Sequence, residues 1–274
     1  MLTVESLFIY PIKSLGGVQI TSANCTELGL EYDRRWVIVD RNHHFITQRQ
    51  LPKMASISVS LDNNQLILHH QVAGKALLPF DLSLPADCEI TVWKDTVSAR
   101  QVPGEINQWL NDALGDYRKG PVQLMQLVPE TKRVVAEKYL PDQDSQVSFA
   151  DACPYLFTFQ ESLASLNQQT ADNIPMDRFR ANIVLSGAKA WHEYQWQEIS
   201  NDALRFGLIG PCQRCQMTSI DQQSGEIATP GEPLQTLMKQ FPVADKKLPF
   251  FGQHARLLGN LNGRISVGDH FDWR

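Results

Sequence analysis

The stretch Gly210-Pro211-Cys212-Gln213-Arg214-Cys215-Gln216-Met217 sets two cysteines three residues apart with an arginine between them. A thiolate is both a soft metal ligand and a nucleophile, and a neighbouring guanidinium favours that ionised form, so Arg214 beside Cys215 suits either use. The Gly-Pro pair reads as a turn, and the residues after Cys215 read as a strand. The expectation is therefore a turn that delivers the thiols onto the start of a strand. Plainer readings compete with this one. Half of a structural zinc site lacks its other half, because there is no second cysteine pair and no histidine pair at ligand spacing. A redox dithiol lacks the strand-then-helix setting of that motif. Inert burial, the usual fate of a free cysteine, stays open.

Four other groupings carry polar chemistry. They are Lys13-Ser14 on a glycine-flanked loop, Asp33-Arg34 at a strand entry, Asp151-Ala152-Cys153-Pro154, and Phe179-Arg180-Ala181-Asn182 just before an apolar strand. Alone, each has an ordinary reading: a solvated surface charge, a turn-forming Asp151, an Asn182 that satisfies loop backbone. Together, three cations and a thiolate suit a large anionic cofactor bound through a soft metal, with arginine recognising phosphate. The chain has no glycine-rich dinucleotide or P-loop fingerprint and no serine nucleophile elbow. The pairs His43-His44 and His69-His70 fall in strand regions, where neighbours point to opposite faces, so they read as surface residues.

These groups need a scaffold, and 274 residues suffice for one large or two modest domains. Apolar content of 43% and charged content of 20% describe a globular chain, and a net charge of −5 argues against a nucleic-acid surface. No apolar run is long enough to cross a bilayer, the start resembles no signal peptide, and five cysteines at irregular spacing suit a reducing compartment. The expectation is a cytoplasmic protein that binds neither membrane nor, stably, nucleic acid.

Alternation predicts a strand over residues 2–10, a second over Val18 to Leu28, and a third at Arg35 to Asp40. Short strands are expected near Ala55–Leu61, Gln65–His70, Phe80–Leu84 and Glu89–Val92. Ile106, Trp109, Leu110 and Ala113 share one helical face, predicting a helix over Glu105 to Ala113. Beyond it, Val122–Val128 and Ile183–Leu185 read as strands, and Pro233 to Gln240 as a helix. Gln160–Gln168 reads as a helix entered through a capping box at Thr158-Phe159-Gln160-Glu161. Arg264 to Trp273 reads as a closing strand. The fold expected is α+β and β-rich, divided near Gly115, Gly120 and Pro121 into residues 1–118, a β-barrel-like domain, and residues 119–274, a mixed β-barrel with peripheral helices.

Six ordered motifs now resemble a known family: Tyr10-Pro11-Ile12-Lys13-Ser14, Asp33-Arg34-Arg35-Trp36, Asp151-Ala152-Cys153-Pro154, Phe179-Arg180-Ala181-Asn182, Cys212-Gln213-Arg214-Cys215 and Phe251-Gly252-Gln253-His254. The chain resembles the molybdenum-cofactor-binding MOSC family, on its amidoxime-reducing branch with an N-terminal β-barrel companion domain. The resemblance covers almost the whole chain. It implies Mo-molybdopterin as cofactor and Cys215 as the protein ligand to molybdenum, with Gln213 and Arg214 beside it. It implies that Lys13, Ser14 and Arg34 hold the pterin and its phosphate from one side and Arg180 and Asn182 from the other. Asp151, Ala152 and Cys153 would lie near the metal, with Asp151 as proton donor or organiser. His254 stands where some relatives have tyrosine, and Ala152 and Cys153 where some have hydroxyl residues. The implied activity is reduction of small N-hydroxylated compounds (amidoximes, hydroxylamines, N-hydroxylated base analogues), a detoxification chemistry. No cysteine set of a C-terminal ferredoxin-like domain is present, so electrons are expected from a separate protein. A non-catalytic cofactor carrier or a sulfur-transfer module is the alternative.

Overall fold

The computed structural model describes residues 1–82, 85–86, 88–140, 145–227, 229–243, 247–259 and 263–274. The front of the chain forms β1 (Leu2–Ile9), β2 (Val18–Ile20), β3 (Ser22–Thr26), β4 (Gly29–Leu30) and β5 (Trp36–Val39). Next come β6 (Ser58–Asp62), β7 (Gln65–His70), β8 (Gly74–Pro79), β9 (Cys88–Val92), β10 (Asp95–Gln101), helix α1 (Gly104–Leu114) and β11 (Gln123–Leu127). The rest forms β12 (Tyr155–Phe159), α2 (Gln160–Asn167), β13 (Ile183–Ser186), β14 (Glu198–Ser200), β15 (Arg205–Gln213), α3 (Leu234–Gln240), β16 (Phe250–Leu258), β17 (Arg264–Ser266) and β18 (His270–Trp273).

Seven strands close a barrel in the order β13-β12-β16-β15-β14-β18-β1, with β1 returning to β13. Closure leaves no free edge among them. The first strand of the chain thus completes a barrel otherwise built from residues 155–273; its alternation shifts phase at an irregularity between Val4 and Ser6, so that Leu2, Val4, Leu7 and Ile9 all join the interior core. Tyr155 and Phe157 each meet Phe206 edge-on at 5.1 Å. Full burial of each such ring contributes roughly 2 kcal/mol. β12 and β13 run parallel, so a crossover must join them, and α2 supplies it. Leu163 and Leu166 of α2 pack with Phe179 and Phe251 against the barrel wall.

The four-stranded sheet β5-β11-β10-β9 and the meander β6-β7-β8 form a half-barrel beside it. Trp36 and Ile38 face α1 and the meander, while Val37 and Val39 face a second cluster with Ile90, Val92 and Phe149. This two-sided burial explains why β5 reads as an unbroken apolar run.

Several local expectations are corrected. Val18 to Leu28 is two strands, because the chain turns at Thr21 to pair first with β1 and then with β17. The Ala55–Leu61 strand begins only at Ser58, after a 3-10 turn at Pro52–Ser56 led by its proline. The third strand of the meander is Gly74–Pro79, whereas Phe80 to Leu82 is irregular and Ser83 and Leu84 lie outside the described residues. Arg264 to Trp273 is two strands separated by a turn at Gly268, serving different sheets. No capping box forms at α2: its N-cap is Phe159, Thr158 Oγ1 has no partner, and Glu161 accepts the N–H of Gly187 instead. Among the described residues, no helix is long and apolar enough to cross a membrane.

Candidate cofactor site

One end of the closed barrel meets the loops of the half-barrel around a cavity of about 620 Å³. The strand expected after the cysteines lies before them. β15 carries Gly210, Pro211, Cys212 and Gln213, and its register against β16 slips just before Gly210 and again at Cys212. These irregularities accommodate proline in a strand and re-aim the side chains at the strand end. Cys215 then starts a 3-10 turn, Gln216–Ser219, and its carbonyl accepts bonds from both the N–H and the hydroxyl of Thr218 at 3.0 Å. The two thiols differ: Cys215 is exposed and Cys212 is buried. Burial pushes the Cys212 thiol up, but Arg214 Nη1 at 2.8 Å and the nearby His254 outweigh it and bring the thiol down to about 7.

All twelve residues singled out in the sequence border this one cavity. Lys13 and Ser14 arrive on the loop after β1, and Arg34 on the loop before β5. Asp151, Ala152 and Cys153 precede β12, and Arg180 and Asn182 precede β13. Gln213, Arg214 and Cys215 leave β15, and His254 lies within β16. Gly252, two residues earlier, has φ +80, and a Cβ there would sit 2.5 Å from the Phe157 carbonyl, so only glycine lets β16 run this close to β12.

Lys13, Asp151, Arg34, Arg180 and Asn182 are already paired. Lys13 Nζ donates to the Phe149 carbonyl at 2.7 Å and to Asp151 Oδ1 at 2.6 Å. Burial lowers the Lys13 pKa, while Lys13 overcomes desolvation at Asp151 and holds that carboxyl well below the usual range. Asp151 is therefore ionised at neutral pH and acts as an acceptor. Arg34 Nη1 donates to both oxygens of the fully buried Asp33 at 2.8 and 2.7 Å, and its Nη2 donates to the Arg180 carbonyl at 3.0 Å. Tyr10 lies against both guanidiniums, 4.3 Å from Arg34 and 4.2 Å from Arg180. Arg180 donates to the Leu15 carbonyl at 2.8 Å and to Gln222 at 3.0 Å, and burial lowers its pKa to about 10. Asn182 accepts the Leu156 N–H and donates to the Phe8 carbonyl, both at 3.2 Å, bracing β1 against β12.

Other buried atoms at the cavity have no partner among the described residues: Arg214 Nε, Arg178 Nε, His254 Nδ1 and Ser14 Oγ. Nine lysine and arginine side chains line the cavity against two aspartates, so it is strongly electropositive in a chain of net charge −5. Of the eight non-glycine residues with positive φ among the described residues, four line it: Ser14, Arg34, Trp93 and Arg180. Backbone strain collects at this site.

The sequence reading missed Arg49, Trp93, Arg133 and Arg178. Arg178 stands two residues before Arg180 and was legible by that proximity. Trp93-Lys94 between two strand runs was a hairpin turn without the usual glycine or asparagine, which is also a signal. Arg133 is a single cation in an irregular segment. It donates to Asp95 and to the carbonyls of Ser148 and Ala150, each at 2.7 Å, and nothing local announces this.

Comparison with known proteins agrees with this geometry. Residues 1–117 match the model of the MOSC N-terminal beta barrel domain, and residues 144–272 match the MOSC domain. The chain is 31% identical over 283 residues to mitochondrial amidoxime reducing component 2 of Bos taurus, covering 97% of this chain and 82% of that protein. It is 31% identical over 288 residues to mitochondrial amidoxime-reducing component 1 of Homo sapiens, covering 97% and 81%. Human molybdenum cofactor sulfurase is 32% identical over 245 residues, which are 81% of this chain but 27% of that protein. A closed barrel completed by its N-terminal strand, a half-barrel beside it and these matches along nearly the whole length lead to one conclusion: the chain belongs to the family of MOSC-domain proteins that carry a MOSC N-terminal β-barrel domain.

Proposed function

We propose that the cavity holds a molybdenum cofactor and that the protein uses it to reduce small N-hydroxylated compounds, with electrons from a separate electron-transfer protein. One juxtaposition carries the reading: an exposed thiol, Cys215, at the rim of a cationic cavity whose walls keep unpartnered donors. The donor set fits the group. Cys215 offers a soft ligand, and Arg178, Arg214 and Ser14 offer N–H and O–H groups to a pterin and its phosphate. Arg180 and Arg34 add charge, and Lys13 and Asn182 hold the walls at their spacing.

The cofactor supplies a two-electron centre with affinity for oxygen. In the overall reaction the N–O bond breaks, the oxygen leaves as water, two electrons come from the donor protein and two protons come from solvent. Asp151, kept ionised by Lys13, accepts a hydrogen bond from the substrate and orients it; it does not supply a proton. Gln213 and His254 border the same space and complete the polar lining. The relatives named as components of amidoxime reduction fit a division of labour with a donor protein.

The test is reduction of benzamidoxime to benzamidine by protein made in a host able to make the cofactor, with a chemically reduced electron carrier. Turnover in the wild type and none in Cys215→Ala supports the reading. Release of cofactor, or of its sulfur, to an apo-acceptor without any reduction assigns the carrier or sulfur-transfer role instead.

A further inference from the structure

The tip of the β9–β10 hairpin is built against its own conformational preference. Val92 pairs with Asp95, so Trp93 and Lys94 are the two residues of the turn. Trp93 has φ +58, a position that two-residue hairpins give to glycine or asparagine. A bulky aromatic there costs stability. It also stays 44% exposed, so burial does not offset that cost.

The indole is nevertheless held on several sides. Its Nε1 donates to Asp151 Oδ1 at 3.2 Å, the same oxygen that Lys13 grips. Phe45 packs against it at 5.0 Å, and the Arg49 guanidinium lies 4.8 Å from the ring centre. The base of the hairpin is fixed too, through the Arg133–Asp95 ion pair at 2.7 Å and the bonds from Arg133 to Ser148 and Ala150. Trp93 and Lys94 both border the cavity that Cys215 borders. A strained, exposed aromatic, immobilised at the mouth of a site, has the form of a recognition surface.

We infer that this hairpin tip is the specificity element of the cavity: Trp93 stacks on a planar substrate whose N-hydroxylated group is conjugated to a ring, and Lys94 reads an anionic substituent on that ring. This names the substrate class of the reductase proposed above and rests on that reading for its chemistry. Stacking on an aromatic face requires a flat partner, so a saturated analogue of equal polarity gains nothing from Trp93. Lys94 sits on an exposed turn and supplies a screened attraction to a carboxylate or phosphate.

Binding separates this inference from the question of turnover. Calorimetric titration would use the full chain as purified, its metal and pterin content recorded, with 4-carbamoylbenzoate and its saturated counterpart 4-carbamoylcyclohexanecarboxylate. The wild type binds the flat ligand more tightly. Trp93→Asn, which suits the positive φ, melts no lower than wild type and loses about tenfold in affinity for the flat ligand, with the saturated one unchanged. Lys94→Ala weakens both carboxylates about threefold and leaves benzamide unchanged. The inference is overturned if wild type binds neither carboxylate or does not prefer the flat one. It is overturned equally if Trp93→Asn leaves the preference intact, or lowers the melting temperature and both affinities together, as a purely structural tryptophan would. Trp93-dependent preference in a protein that reduces no N-hydroxylated compound supports the stacking surface and removes only the reductase reading.

Discussion

The two walls of the cavity hold similar residues in opposite states. On the half-barrel side Lys13, Arg34 and Arg133 each have a carboxylate within 2.8 Å and at least one backbone carbonyl. On the closed-barrel side Arg180 is paired as well, but Arg178 and Arg214 leave their Nε atoms, and His254 its Nδ1, without a partner among the described residues. A buried cation with a full set of acceptors holds structure; one with an unused donor has capacity for a ligand. On the proposed function, the first wall therefore governs stability and the second governs loading, and substitutions on the two walls should fail in different ways.

The largest effect is expected on the paired wall. Asp33→Ala strands the Arg34 guanidinium and removes the acceptor for the Tyr10 N–H at 2.8 Å. Breaking such a buried pair from one side costs about 4 kcal/mol. Denaturant unfolding should show a drop of that order. A loss of cofactor with unchanged stability would erase the distinction between the walls.

A smaller and pH-dependent effect belongs behind the second wall. Glu193 is buried, receives the Ser162 hydroxyl at 2.8 Å, and its backbone carbonyl receives Gln253 Nε2, next to His254 in the chain. Burial raises its carboxyl from 4.5 to about 7. For a carboxyl raised on folding, the neutral form is the favoured one. Its stability contribution is complete below pH 4.5 and is lost as pH rises through about 7. Glu193→Gln should thus gain on wild type between pH 5 and pH 8, by up to about 3 kcal/mol. Parallel stability–pH curves for the two proteins would show that Glu193 is not neutral in the fold.

The smallest stability effect is expected at Arg178, whose contacts to the Thr218 carbonyl and Asp221 are long, 3.4 and 3.3 Å. Arg178→Ala should cost under about 1 kcal/mol yet lower pterin retention several-fold on gel filtration. Full retention would place Arg178 with the structural cations.

The contrast also explains what could be read in the chain. Every site residue named from the sequence lines the cavity, because each lies in a short motif and all but His254, which is inside β16, sit at or beside an element boundary, where loops carry function. Barrel strands such as β1 and β5 were legible from alternation or from unbroken apolar runs. The strand β15 was not: Gly210 and Pro211 read as a turn, and only pairing with β16 over its length makes it a strand. The false capping box has the same root, since Thr158 is committed to the β12–β13 ladder before α2 begins. The pairing state of each cation, which separates the walls, depends on partners as distant as Lys13 from Asp151 or Arg133 from Asp95, and no local pattern encodes it.

Molybdenum and pterin per chain, measured side by side for wild type, Cys215→Ala and Cys212→Ala made in a cofactor-competent host, test the central claim most directly. Under the proposal the exposed thiol is the ligand, while the buried one, held by Arg214, is part of the wall. Near-stoichiometric metal and pterin in wild type and Cys212→Ala, with metal lost from a normally folded Cys215→Ala, is the expected result. Folded wild type without metal or pterin, or equal metal in Cys215→Ala, would contradict it.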